Sequence, residues 1–191
     1  MRKSLLSVAL CGLCLTAGAI EPVKLNVPDT QRGLPVMQAL DKRQSTREFA
    51  DKMLSLQDLS DLVWAANGIN RPESGKRTAP SAMNRQDVKV YVCTAEGSWL
   101  YNPKAGTLDP VSAGDVRPAP APVCLVLVTD ANETWSALDA GIVSQNISLF
   151  CSGAGLATYP RATMEREALA KALKLAGTQT LMLCHPVGYF K

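Results

Sequence analysis

Ala39-Leu40-Asp41-Lys42-Arg43-Gln44-Ser45-Thr46-Arg47-Glu48-Phe49 sets two arginines and a serine at alternate positions, directly after a helix-like stretch and before a turn. That is the chemistry of a phosphate clamp. Guanidinium forks make short, charge-assisted bidentate contacts to phosphate oxygens, and a hydroxyl two residues away can donate to the same group. Taken alone, a basic stretch of this kind is more often a solvated loop. The weight therefore falls on its surroundings.

Towards the N-terminus, Arg2 and Lys3 precede an apolar run from Leu5 to Leu15, and Ala17-Gly18-Ala19 supplies the small residues of a cleavage site. Residues 1–19 read as a secretory signal peptide, with the mature chain starting at Ile20. The apolar run is shorter than the roughly 20 residues a membrane-spanning helix needs, so no stable membrane anchor is expected. Loss of Arg2 and Lys3 from the 20 basic side chains nearly balances them against the 17 acidic ones. A near-neutral mature chain lacks the basic footprint of a general nucleic-acid binder. Its length suits one domain with a substantial core.

Leu56, Leu59, Leu62, Val63 and Ala66 form a helical stripe, opened by Ser55 as N-cap with Asp58 three residues on and stopped at Gly68. Val88 to Cys93 alternates as a half-buried strand, and Trp99-Leu100-Tyr101 with Thr107-Leu108 predicts a hairpin turning across Asn102 to Gly106. The biased segment Arg117 to Pro122 predicts an extended connector, because successive prolines restrict the chain. Val123 to Val128 is a continuous apolar run, the mark of a central strand covered on both faces. A long, mostly apolar helix over Glu133 to Ala154 demands burial. An extended segment at Leu156 to Tyr159, a helix from Met164 to Leu175 ended by Gly177, and a strand from Thr180 to Cys184 complete the order. Interleaved helices and strands imply an α+β fold.

Cys93, Cys124, Cys151 and Cys184 remain after the signal, each among apolar neighbours, which favours buried thiols over disulfides. His185 is the sole histidine, and nothing else has metal-ligand or triad spacing. Cys184 and His185 are adjacent on a strand and so point to opposite faces. No metal site is expected, and His185 reads as structural. Gly153-Ala154-Gly155 lacks the third glycine of a dinucleotide fingerprint, and Gly75-Lys76-Arg77-Thr78 lacks the first glycine of a P-loop.

Six blocks in order, Lys42 to Phe49, Leu59 to Arg71, Thr78 to Asn84, Asp139 to Asn146, Gly155 to Pro160 and Pro186 to Lys191, resemble the nitroreductase-like flavoprotein family. The short single-domain members near the azoline-oxidising branch are the most similar. The resemblance spans residues 34–191 as one FMN-binding domain and leaves 20–33 as an N-terminal extension. It implies a central, mainly antiparallel sheet wrapped by helices, in an intertwined homodimer, with FMN as cofactor. Family positions matching Arg43 and Ser45 hold the phosphate and lower ribityl chain, and that of Arg47 lies at the flavin pyrimidine edge. Gln44 stands where many members have a basic residue or histidine, and Lys191 would add one charge where longer members carry a pair. Pro80, Ser81, Ala82 and Asn84 match a loop that the partner subunit lays against the flavin. Tyr159, Pro160, Arg161 and Ala162 match the stretch beside the isoalloxazine ring, where a backbone amide donates to N5.

The resemblance implies an FMN-dependent oxidoreductase that passes hydride through flavin N5 in ping-pong order, to or from a small nitro, quinone or related compound. No side chain is needed as acid or base. Export to the periplasm conflicts with a cytosolic nicotinamide donor, which leaves NAD(P)H as a donor in vitro. The alternative expectation is an exported flavin-binding or ligand-carrying protein that keeps the fold without turnover.

Overall fold

Ser55 starts a helix because its hydroxyl accepts the Asp58 amide at 3.0 Å, satisfying one of the unpaired N–H groups of a first turn. The computed structural model describes residues 20–191, and in it this helix is α2 (Leu56–Asn67). Gly68 follows it with φ of −77°, so no left-handed conformation calls for glycine there. A Cβ at Gly68 would instead lie 2.4 Å from Trp64 Cδ1. Close approach of the indole is what requires the glycine.

In chain order the remaining elements are β1 (Val23–Lys24), α1 (Val36–Lys42), β2 (Ile69–Arg71), β3 (Lys76–Arg77), β4 (Val88–Cys93), β5 (Gly97–Asn102), β6 (Thr107–Ala113), β7 (Val123–Thr129), α3 (Thr134–Ala154), β8 (Leu156–Thr158), α4 (Arg166–Ala172) and β9 (Thr180–Tyr189). Seven strands form one sheet in the order β1-β6-β5-β4-β7-β9-β8, with every neighbouring pair antiparallel. A separate two-stranded ribbon joins β2 to β3. The fold is α+β, a central antiparallel sheet with four helices, as expected.

Alternation along the strands divides the interior in two. Val90, Val92, Val123, Leu125 and Leu127 pack with Leu62, Val63 and Ile147 from α2 and α3 on one face. Tyr91, Cys93, Cys124, Val126, Val128 and Cys184 pack with Leu169 and Leu173 on the other. β4 is therefore buried on both faces except at Lys89, not half-buried, because α4 and the segment before β7 cover the side that carries Tyr91 and Cys93.

Four further expectations change in detail. The Arg117–Pro122 connector bends rather than extends, since Arg117 reaches forward to the Ala121 carbonyl at 2.7 Å. α4 covers only Arg166–Ala172, because Lys174 turns left-handed at φ 53° and ends it. β9 runs past Cys184 to Tyr189, with Pro186 opposite Cys124 in the ladder. α3 buries one side only, leaving Trp135 and Leu138 exposed at its start. No helix among the described residues is long and apolar enough to cross a membrane. The expected signal peptide, residues 1–19, lies outside the described residues.

Residues 20–33 cross the molecule as a strap. β1 pairs with β6, the Trp99 indole donates to the Glu21 carbonyl at 3.0 Å, and Arg32 bridges Asp58 and Asp61 at 2.6 and 2.9 Å. Tyr189 also donates to Asp58 at 2.5 Å. Burial opposes ionisation of Asp58, but the hydrogen bonds from Ser55, Tyr189 and Arg32 outweigh it and hold the carboxyl below its usual range.

Candidate functional site

The Arg43 amide donates to the Leu40 carbonyl at 3.3 Å, ending α1 on the residue that opens the basic stretch. From there the chain runs along the β8–β9 edge of the sheet. Thr46 donates to the Thr158 carbonyl at 3.0 Å, Phe49 bridges Phe190, and Ala50 donates to the Tyr189 carbonyl at 3.0 Å. Arg161 exchanges two backbone hydrogen bonds with Cys184, each 2.8 Å. The expected 43–47 and 159–162 blocks, about 110 residues apart in sequence, thus meet at one edge.

Arg43 and Gln44 line a cavity of about 730 Å³ with Lys42, Ser148, Ser152 and Thr158. That volume lies within the range of small-molecule and cofactor sites. Arg43 is exposed, and its guanidinium makes no ion pair with another described residue. Arg47 turns elsewhere. Its guanidinium lies 4.9 Å over the Tyr159 ring, which stacks on Phe49, and it lines a separate cleft of about 420 Å³ with Phe49, Glu96 and Arg117. Ser45 is exposed between the two and lines neither. Lys191 is exposed beyond Phe190, which lines the larger cavity.

Pro80, Ser81, Ala82 and Asn84 line neither space. Their loop is tied to α3, where both carboxylate oxygens of Asp139 accept the Ala82 amide at 3.0 Å. Met83, Asn84 and Gln86 there have φ of 51°, 55° and 53°, a conformation that side chains other than glycine adopt at a cost.

Beneath the larger cavity lies His185, fully buried. Thr158 gives its single hydroxyl proton to the Pro186 carbonyl at 2.9 Å. It can therefore only accept from His185 Nδ1 at 3.3 Å, which leaves Nε2 as a lone pair accepting from Ser144 at 2.7 Å. The imidazole is a neutral brace between α3, β8 and β9, and burial lowers its pKa to about 4. Cys184 has no part in it, as the opposite-face argument requires.

The four cysteines among the described residues are all buried and free. Burial pushes Cys93 and Cys151 far up, Cys124 to about 12 and Cys184 to about 11, so none is a ready nucleophile at neutral pH. No cluster of three or more metal-ligating side chains occurs among the described residues. Ser148 and Ser152 escaped the sequence argument, although they are spaced four apart on α3 and so share a helix face, while Gly155 and Thr158 fall within the Gly155 to Pro160 block.

Gly188 carries the close approach on which this edge depends. A Cβ there would lie 3.0 Å from Pro122 Cδ and 3.1 Å from Phe49. Gly188→Ala is expected to displace the Phe49 segment and lower stability by about 1 to 2 kcal/mol, read as a shift of the urea midpoint; an unchanged midpoint would show that the segment yields freely.

The edge of the antiparallel sheet thus presents an unpaired guanidinium on the rim of a cofactor-sized cavity. Residues 40–189 match the profile of the nitroreductase family. A nitroreductase homologue from Methanocaldococcus jannaschii is 24% identical over 196 residues, covering 88% of this chain and 97% of its own. A nitroreductase-like crystal structure from Ralstonia eutropha JMP134 is 33% identical with a TM-score of 0.85, covering 99% of this chain and 96% of that one. The FMN- and NADPH-dependent nitroreductase NfnB of Sphigopyxis sp. strain HMH shares the fold at 20% identity and a TM-score of 0.60, covering 83% of this chain and 89% of that one. The chain belongs to the nitroreductase family, and with it to the oxidoreductases.

Proposed function

We propose that this protein is an exported, FMN-dependent oxidoreductase that works as a homodimer on small nitro, quinone or related compounds. The observation that carries this is the unpaired Arg43 guanidinium on the rim of the 730 Å³ cavity, beside Gln44 and Thr158 at the edge of the sheet. A guanidinium without a carboxylate partner is the group a phosphate needs. Arg43, Gln44 and Thr158 would hold FMN here, and the flavin would supply hydride transfer through N5 between two organic molecules taken in ping-pong order.

The chain's own part is to bind and orient. Arg43, Gln44, Ser45 and Lys191 would hold the phosphate end. Arg47, kept in place by the Tyr159 ring, would supply positive charge that favours the reduced cofactor. Tyr159, Pro160, Arg161 and Ala162, which leave β8 beside Thr158 and return to β9, would border the ring. Exposed Val36, Met37 and Leu40 on α1, together with Met83, Trp135 and Leu138, offer apolar surface for a second copy. That copy would bring its Pro80–Asn84 loop to this site. The strap of residues 20–33 and the domain that follows form the mature chain, and the apolar residues 1–19 support export.

Residues 20–191, expressed and purified, are expected to be yellow and to release FMN on denaturation. Bleaching by dithionite and reoxidation by a quinone or nitroarene, with steady turnover on a suitable donor such as NAD(P)H in vitro, support the enzyme. Reoxidation without turnover on any donor supports the alternative of a flavin carrier. Arg47→Ala is expected to lower the reduction potential while leaving most of the flavin bound, as potentiometric titration would report. A colourless protein that stays so with excess FMN overturns the proposal.

A further inference from the structure

Away from the Arg43 cavity, Arg77 on β3 carries a half-buried guanidinium that no carboxylate meets among the described residues. Burial lowers its pKa, and only the Tyr101 phenol opposes this. A charge held out of water in this way is costly until a counter-charge arrives. Its aim is fixed by the chain around it. The β2–β3 ribbon sets Arg77 opposite Ile69, and Arg71 donates to the Arg77 carbonyl at 2.9 Å. The Gln86 side chain accepts from Arg77 Nε at 3.0 Å and donates to the Gly75 carbonyl at 3.1 Å. Nη1 reaches the Asn67 carbonyl at 3.4 Å, while Nη2 has no partner among the described residues.

Arg77 lines a space of about 320 Å³ with Leu100, Tyr101, Pro103, Lys104 and Asp109, at the lower end of the range for small-molecule sites. This space shares no residue with the 730 Å³ cavity. Tyr101 is only 8% exposed, yet its hydroxyl has no hydrogen-bond partner among the described residues and is not sealed off. A buried phenol normally finds one. Burial pushes Tyr101 up to about 12 against the pull of Arg77, so the phenol keeps a proton to donate. The surrounding charges favour a monoanion. Lys89 is taken by Asp130, and exposed Lys104 balances Asp109, whose oxygens already accept from Asn102 and Thr107 at 2.9 and 2.7 Å. Arg77 is left as the uncompensated charge of the space, and Leu100 and Pro103 suit an apolar body. We propose that this space is a second ligand site, which takes a small organic carboxylate on the Arg77 fork and the Tyr101 hydroxyl, with its apolar body against Leu100 and Pro103. The site stands independently of the flavin reading.

Calorimetric titration of the purified protein with sodium butyrate, with sodium chloride holding the ionic strength constant, is expected to show saturable binding in the millimolar range or tighter. Tyr101→Phe, which removes only the phenol oxygen, should weaken that binding about tenfold. Arg77→Gln should abolish saturation, because the fork and its charge both go. Inorganic phosphate, a dianion for most of its population at neutral pH, should bind less tightly than butyrate. No saturation with butyrate in the wild type, tighter binding of phosphate, or wild-type affinity in Tyr101→Phe would each overturn the site. Should Arg77→Gln not fold, the wild type and Tyr101→Phe still decide. A colourless protein that binds butyrate through Tyr101 would sink the flavin reading and leave this site standing; a yellow protein with no such binding would do the reverse.

Discussion

Arg43→Ala is expected to strip the protein of bound FMN. Each charge-assisted hydrogen bond from a guanidinium to phosphate is worth about 1.5 to 3 kcal/mol, and a bidentate fork makes two. Loss of both corresponds to a fall in affinity on the order of a hundredfold or more. The fold should survive, because Arg43 is exposed, forms no ion pair, and contributes only its backbone amide to the end of α1. The measurement is the flavin absorbance that co-elutes with protein, backed by a direct titration with FMN. Equal flavin content in wild type and variant would show that the cavity beside Thr158 is not the phosphate site.

Mild acid is expected to weaken the fold through His185. Its pKa is about 4 when folded, against 6.5 for the free side chain. Between those values the unfolded chain binds the proton and the native chain does not, so stability rises with pH across this window. The full contribution is present above about pH 6.5 and is lost as pH falls towards 4. The difference corresponds to about 3 kcal/mol. Asp58, held low, loses its contribution only below the ordinary carboxylate range, while Asp139, raised, acts in the opposite sense just above that range. Comparison with His185→Gln isolates the imidazole. Urea unfolding of both proteins at pH 7 and pH 4.5 should show the wild type losing far more stability than the variant. Parallel losses would mean that the buried ring gains a proton without opening the Ser144 and Thr158 contacts.

These two side chains mark how far the residues speak for themselves. Arg43 was legible because a guanidinium keeps its chemistry wherever it sits and the alternation with Ser45 and Arg47 is local. Its division from Arg47 was not. Which way each side chain turns depends on Thr158, Tyr189 and Phe190, more than 100 residues away, which pin the segment from Thr46 to Ala50. The role of His185 was legible only by exclusion, since Ser144 and Thr158 become its partners when α3 crosses β8 and β9. The link from Asp139 to Ala82 had no sequence signal, because a helical aspartate looks the same whether it faces water or a distant amide.

Local periodicity and capping determined most elements by themselves. Ser55 with Asp58 starts α2, the apolar run at Val123 to Val128 becomes the sheet's buried strand, and Asn102 to Gly106 turns the hairpin, since hydrogen bonds and steric limits within a few residues set each of these. Only the tertiary structure decided that Tyr91 and Cys93 lie under a second core, that Pro186 continues a strand, that the Arg117–Pro122 segment bends, and that the cavity floor comes from Ser148, Ser152 and Thr158. Each of these depends on which surface covers a residue or which chain passes beside it, and burial of that kind is a property of the assembled layers, to which neighbours in sequence contribute almost nothing.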